Sequence, residues 1–407
     1  MRKLILLLTI IIGITAQTKA QEMQRIVLSD SAKVSLLTNA PWDEAVYSLF
    51  GHTSMRVSDP AQNIDYAFNF GLFNMSKSNF IFLFMKGETD YMVAPIPYNA
   101  YYQEYKERGV GIIEQVFNLT QKEKQDIFDA LLVNCLPENR EYRYNYFYDN
   151  CSTRPRDIFE KYINGKIEYT PTNREQTYRD LVIECTNSRL WFRFGINLVI
   201  GADADKVITD RQKDFLPRYL MNAYEGATVT GDSIPRNILL STTTLLEAKP
   251  FEKDFPVTPL YAGIILLIIS ILISYLVYKK QMKGLGKAFD TILFLIAGIA
   301  GCIIFFLMFF SVHPCTNPNW NIIWLNPLQL IVALLFFVKS LSKCIYYYHF
   351  INFVALLAFL LAWNLIPQQL EMTFIPFILS IGLRSFMNIL QQKKFKKKAD
   401  YSLPRAK

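Results

Sequence analysis

The sequence predicts an α+β domain outside the membrane, followed by a bundle of five membrane helices. Three observations carry this reading. The N-terminus, MRKLILLLTIIIGITAQTKA, has a basic start, an apolar run and small residues before Gln21, the pattern of a secretory signal spanning residues 1–20. Residues 21–250 mix polar and apolar side chains, with many aromatics, as a water-exposed domain does. Residues 259–390 consist largely of long apolar runs.

The apolar runs fall at 259–278, 289–310, 325–338, 345–366 and 372–390. The third is short, and the fifth carries Pro376 and Arg384. The connecting loops set the orientation. KKQMKGLGK (279–287) carries four lysines, Lys339 and Lys343 follow the third run, and the tail 391–407 is strongly basic. SVHPCTNPNW (311–320) and IPQQLE (366–371) carry neither Lys nor Arg. Basic loops lie on the cytoplasmic side, so this alternation puts residues 21–250 and the two uncharged loops outside, in the periplasm of a bacterium, and the tail in the cytoplasm. The segment EAKPFEKDFPVTP (247–259), with three prolines and several charges, supplies the linker, 251–258.

A net charge of +8 on 407 residues raises the question of nucleic acid. Much of the excess flanks the apolar runs, where membrane topology accounts for it, and no basic stripe with glycine-aromatic motifs is present. Glycine-rich nucleotide signatures, G-x-S-x-G and C-x-x-C are all absent. One histidine and scattered cysteines in the outer domain make a poor metal site. The sequence therefore implies neither a metal nor a cofactor.

The chemistry narrows to a few residues. The chain has three histidines, and of these only His52 lies in residues 21–250; His313 is in an outer loop and His349 in an apolar run. Around Cys151, the stretch EYRYNYFYDNCSTRPRDIFEKYING (141–165) alternates aromatic and polar residues from Tyr142 to Tyr148, which predicts a strand. Ser152, Thr153 and Pro155 then open a helix whose apolar face is Ile158, Phe159, Tyr162 and Ile163. Cys151 thus sits at a strand-to-helix junction, where the helix N-terminus together with Arg154 and Arg156 favours thiolate. His52, Ser54 and Arg56 share one strand face, and Asp65, Ala67 and Asn69 one face of the next strand. Asp65 or Asn69 could therefore orient the imidazole. The plain alternative is a disulfide. Cys135 with Cys185 would leave Cys151 free, whereas Cys151 with either would make it structural.

Taken together, FGHTSMRV, IDYAFNFG and YNYFYDNCSTRPRDI, the run of apolar segments and the loop HPCTNPNWNIIWLNPL (313–328) resemble the Bacteroides-type lipoprotein N-acyltransferase family, Lnb. The order of a histidine on a strand and a later cysteine at a helix start is also similar to permuted papain-like folds of the NlpC/P60 and lecithin:retinol acyltransferase kinds. The resemblance implies a permuted papain-like cysteine-enzyme domain. It makes Cys151 the nucleophile and His52 its base. It further implies transfer of an acyl chain from a phospholipid donor, through a thioester, to the α-amine of a diacylated lipoprotein. An oxyanion donor at the Ser152 backbone, or at that of Cys151, would serve this chemistry. Arg56, Arg154 and Arg156 could meet phosphate headgroups, and His313 could join the substrate site. The aromatic loop 311–324 reads first as an interfacial anchor. The competing readings are a membrane-anchored peptidase or amidase of the NlpC/P60 kind, a phospholipase-like acyl hydrolase, and a non-enzymatic scaffold.

Overall fold

A computed structural model describes residues 25–43, 45–73, 79–231, 235–251, 254–336 and 338–402. The expected signal segment lies outside these residues. The outer part is built on an antiparallel seven-stranded sheet. Its strands are β1 (Lys33–Asn39), β2 (His52–Asp59), β3 (Ile64–Leu72), β4 (Asp90–Pro97), β5 (Ile112–Phe117) and β6 (Glu141–Arg143). After the small sheet of β7 (Lys166–Glu168), β8 (Thr228–Thr230) and β9 (Arg236–Asn237), β10 (Leu239–Leu246) returns to the large sheet. The large-sheet order is β10-β5-β1-β2-β3-β4-β6.

Period-two alternation gives the sheet two packed faces. Val34, Leu36, Met55, Val57, Phe68 and Phe70 point to one face, where they meet Phe128 and Leu131 of the helix Gln121–Asn134 and Phe159 of the helix Thr153–Tyr162. Leu37, Ala67 and Ile112 point to the other, beneath Tyr101 and Tyr105 of the helix Tyr98–Arg108. A satellite cluster of Phe147, Tyr178, Leu181 and Phe215 closes the end near Cys151.

Two local expectations are corrected. The strand expected over 142–148 stops at Arg143. Beyond it, Asn145 Oδ1 accepts from the Phe147 and Tyr148 amides at 3.1 Å each, and this Asx-type turn pulls the backbone out of extended geometry. The third apolar run, 325–338, forms only an eight-residue helix, Leu328–Leu335, which Pro327 separates from the 3₁₀ turn Trp320–Ile323 before the run. Eight residues rise about 12 Å, well short of a hydrocarbon core. Among the described residues four helices are long and apolar enough to cross a membrane: 259–280, 283–309, 342–361 and 372–391.

Arg384, an oddity in an apolar run, is fully buried within the bundle. Its guanidinium grips Asp290 with two bonds, at 2.6 and 3.0 Å, and donates to Ser274 Oγ at 2.8 Å. Three spanning helices are thereby cross-linked. Intramembrane charges persist where they are paired in this way, and removing one partner of a buried pair costs roughly 3–5 kcal/mol. Gly298 and Gly301 allow the 326–330 segment to approach closely: a Cβ at Gly298 would lie 2.2 Å from Leu330 N.

The outer domain is fastened to the bundle by polar contacts. Asn319 and Asn321 side chains donate to the Leu198 carbonyl at 2.8 and 3.2 Å. Glu371 accepts from Arg193 at 2.5 Å and from Asn197 at 2.6 Å. Gly201 and Ala202 amides donate to the Cys315 and Pro318 carbonyls at 2.6 and 2.7 Å. Trp324 is buried and donates to Asn321 Oδ1 at 2.9 Å. The loop 311–324 is therefore a clamp between domain and bundle, and Trp324 is no interfacial anchor.

Candidate active site

The helix Thr153–Tyr162 packs on one face of the sheet, and its start rises at the end of β2, where Ser152 Oγ and Thr53 Oγ1 meet at 3.0 Å. Asn150 shapes this junction. Its Oδ1 accepts from the Ser152 and Thr153 amides at 2.8 and 3.0 Å, while its Nδ2 donates to the Tyr146 and Phe215 carbonyls at 2.9 Å each. The first helical amides are thus capped from one residue before the cysteine, which fixes where Cys151 stands. The Ser152 amide is committed to this cap. Among the described residues the Cys151 amide has no acceptor.

His52 opens β2 and is almost wholly buried. β2 and β3 pair with Ser54 opposite Asn69, so the same register sets His52 across from Gly71. The His52 ring reaches diagonally to Asn69, with Nε2 2.9 Å from Oδ1. That oxygen also accepts from the Gly71 amide at 2.8 Å, which holds the Asn69 carboxamide in place. An acceptor at Nε2 keeps the proton there in the neutral ring and leaves the Nδ1 lone pair free to accept one. His52 and Cys151 lie close enough that each shifts the titration of the other.

The electrostatics single out this thiol. Burial would push Cys151 up. The His52 charge and hydrogen bond, the Thr53 amide and the Ser152 side chain outweigh that and hold it below the ordinary thiol value. His52 shows the reciprocal effect: burial lowers it, but the Cys151 charge and hydrogen bond and the Asn69 contact leave it above the ordinary imidazole value. Both directions favour a thiolate–imidazolium pair. All six cysteines are free. Burial pushes Cys135 up to about 11 and Cys185 up to about 12. One expected result follows. Iodoacetamide is expected to alkylate Cys151 at lower pH than an ordinary thiol, whereas Cys135 and Cys185 react only under strongly alkaline or denaturing conditions. Peptide mapping after a pH series checks this, and uniform labelling of the three would contradict it.

The other sequence-derived candidates lie elsewhere. Asp65 faces Ser58, four residues along β3 from Asn69 and so about 13 Å away, too far to touch the imidazole. It pairs with Arg56 at 2.7 and 2.8 Å. Arg56 also donates to Glu114 at 3.1 Å and lies over the Tyr98 ring. Arg154 pairs with Asp149 at 2.6 and 2.8 Å and stacks on Tyr142. Arg156 is buried, bonded to Asp157 and to the Arg211 carbonyl. All three guanidiniums are therefore engaged within the domain. His313 donates from Nε2 to the Phe84 carbonyl at 2.6 Å, and burial keeps its pKa below the ordinary value. Among the described residues no three His, Cys, Asp or Glu side chains cluster as metal ligands would. Gly71, Asn150 and Thr53 were not singled out from the sequence. The first follows from strand register, and Asn150 could have been found as a cap residue next to the cysteine.

Fold and site together define a class: a membrane-anchored α+β domain bearing a cysteine–histidine–asparagine constellation at a helix start. Comparison with known families makes the assignment specific. Residues 19–184 match the Lnb N-terminal periplasmic domain, and residues 250–396 match the Lnb transmembrane domain. The chain belongs to the Lnb family and is a multi-pass inner-membrane protein of the lipoprotein N-acyltransferase type, with its N-terminal domain in the periplasm. No curated protein and no solved structure matched.

Proposed function

We propose that this protein moves an acyl chain from a membrane phospholipid to the α-amine of the N-terminal diacylglyceryl-cysteine of lipoproteins, through a thioester on Cys151. The observation that carries this reading is the buried His52–Asn69 pair beside a half-buried Cys151 thiol in a chain with both Lnb domains. The Cys151 thiolate attacks the ester carbonyl of the phospholipid. The carbon–oxygen bond breaks, and the leaving lysophospholipid takes the proton from the His52 imidazolium. The lipoprotein amine then attacks the thioester, His52 accepts the amine proton, and the carbon–sulfur bond breaks to restore the thiolate. Asn69 keeps the ring in the tautomer that both steps use.

The unpaired Cys151 amide is the candidate oxyanion donor, in place of the Ser152 amide held by Asn150. Arg56, Arg154, Arg156 and His313 have structural partners and take no part in the steps described. The clamp between domain and bundle supports the reading, because both lipid substrates are anchored in the outer leaflet and a domain held there meets them at high effective concentration.

The test is two-stage turnover. Purified protein in phospholipid micelles is given a diacylated lipopeptide with a free amine, and the products are weighed by mass spectrometry. The expected result is release of lysophospholipid with an acyl-sized gain on the lipopeptide. Fatty acid release without transfer would replace this reading with a phospholipase. Cleavage of peptidoglycan peptides without either product would replace it with a peptidase.

A further inference from the structure

The short helix Phe80–Lys86, FIFLFMK, has no buried residue. Ile81 and Phe82 stand 75% and 55% exposed, and Phe84 is also exposed. In an aqueous domain such a helix would be a liability. Its position gives it a use. The Phe82 ring lies 6.0 Å from Phe306 in the spanning helix Lys283–Phe309. The Val312 amide donates to the Lys86 carbonyl at 2.9 Å, and His313 holds the Phe84 carbonyl. Just past that spanning helix, Phe310 and Val312 are exposed as well. The apolar face of FIFLFMK is therefore continuous with the bilayer-facing surface at the outer end of a membrane helix, which argues for lipid rather than protein as its occupant. Its sole charge, Lys86, is paired with Glu88 at 2.7 Å.

A line of rings connects this helix to the nucleophile. Phe84 neighbours Phe80 at 6.2 Å, Phe80 stacks on Phe73 at 5.8 Å, Phe73 on Tyr91 at 4.7 Å, and Tyr91 on Tyr144 at 4.0 Å. Tyr91 and Tyr144 both feel the charge of Cys151. We propose that the helix Phe80–Lys86 is a wedge seated among outer-leaflet acyl chains, and that it delivers a phospholipid chain to Cys151 along this aromatic row. The delivery half rests on the acyl-transfer reading; the seating half does not.

The experiment uses the full chain in nanodiscs of phosphatidylethanolamine and phosphatidylglycerol. A photo-crosslinking benzoylphenylalanine is placed at position 82 or, as control, at exposed position 240 on the edge strand β10. Phospholipid adducts are expected at 82 and not at 240. No adduct at 82, or equal yields at both, overturns the seating. In a second arm, Ile81→Gln with Phe82→Gln is expected to slow Cys151 acylation from nanodisc phospholipid by about tenfold, because the chain is no longer presented at high effective concentration. These two side chains are exposed, so the double variant removes no core packing. An unchanged rate overturns the delivery. If the unaltered chain forms no thioester at all, the acyl-transfer reading fails while the cross-links still decide the seating.

Discussion

Replacing His52 with alanine is expected to lower the rate of the proposed Cys151 acylation by about 10³-fold, the middle of the range for losing a positioned general base. The variant loses two things at once. The first is the charge and hydrogen bond that hold the thiol below its ordinary pKa against the opposing effect of burial. The second, on the proposed mechanism, is the proton donor for the leaving lysophospholipid. A pH series separates this from simple misfolding. In the unaltered chain the His52 charge holds the thiol below its ordinary pKa, so iodoacetamide labelling of Cys151 sets in at lower pH than for an ordinary thiol. In His52→Ala only the Thr53 and Ser152 contacts still oppose burial, and the onset of labelling is expected to move to higher pH. An unchanged labelling profile would mean that His52 does not set the state of the thiol. No other histidine in the described structure takes its place, since His313 is bonded to the Phe84 carbonyl and His349 is buried in the bundle.

The second large effect comes from adding a single methyl group. Gly71 lies across from His52, and a Cβ built there would stand 2.6 Å from His52 Cε1 and 3.3 Å from Nδ1. The first distance is too short for any real contact, so the imidazole must move away. Its anchor moves with it, because the Gly71 amide helps hold Asn69 Oδ1. A displacement near 1 Å at a catalytic group is enough for a loss of about 100-fold, so Gly71→Ala is expected to acylate Cys151 about 100 times more slowly. The onset of iodoacetamide labelling should shift partway toward that of His52→Ala. Full activity in Gly71→Ala would show that the ring is not confined as described.

Much of the site could be read from local pattern, and what could not depended on long-range register. The helix after Cys151 was legible because Ser152, Thr153 and Pro155 are local start signals and its apolar face has helical spacing. His52 was legible by scarcity, as the one histidine of the outer domain. The choice between Asp65 and Asn69 was not, because both lie on the same face of one strand and only pairing with β2 puts Asn69 beside the ring. Gly71 was invisible for the same reason. The arginines' partners were not legible, because their sequence neighbours do not reveal that Arg56 reaches Asp65 and Glu114, or that Arg156 is buried against Arg211. The tyrosine alternation overran its strand because an Asn145 side-chain turn competes with the ladder. In the membrane part, apolar length alone could not show that the third run forms only the helix Leu328–Leu335, nor that Asp290 neutralises Arg384.

On the proposed mechanism Cys151 carries the acyl group. The most direct test of this is the intact mass of the full-length protein after incubation with phospholipid and no acceptor, followed by mapping of the modified peptide. The account predicts an added acyl mass on the peptide containing Cys151, lost on treatment with neutral hydroxylamine as thioesters are, and absent from Cys151→Ala. An adduct that persists in Cys151→Ala, or none in the unaltered chain while lipopeptide acylation proceeds, would contradict it.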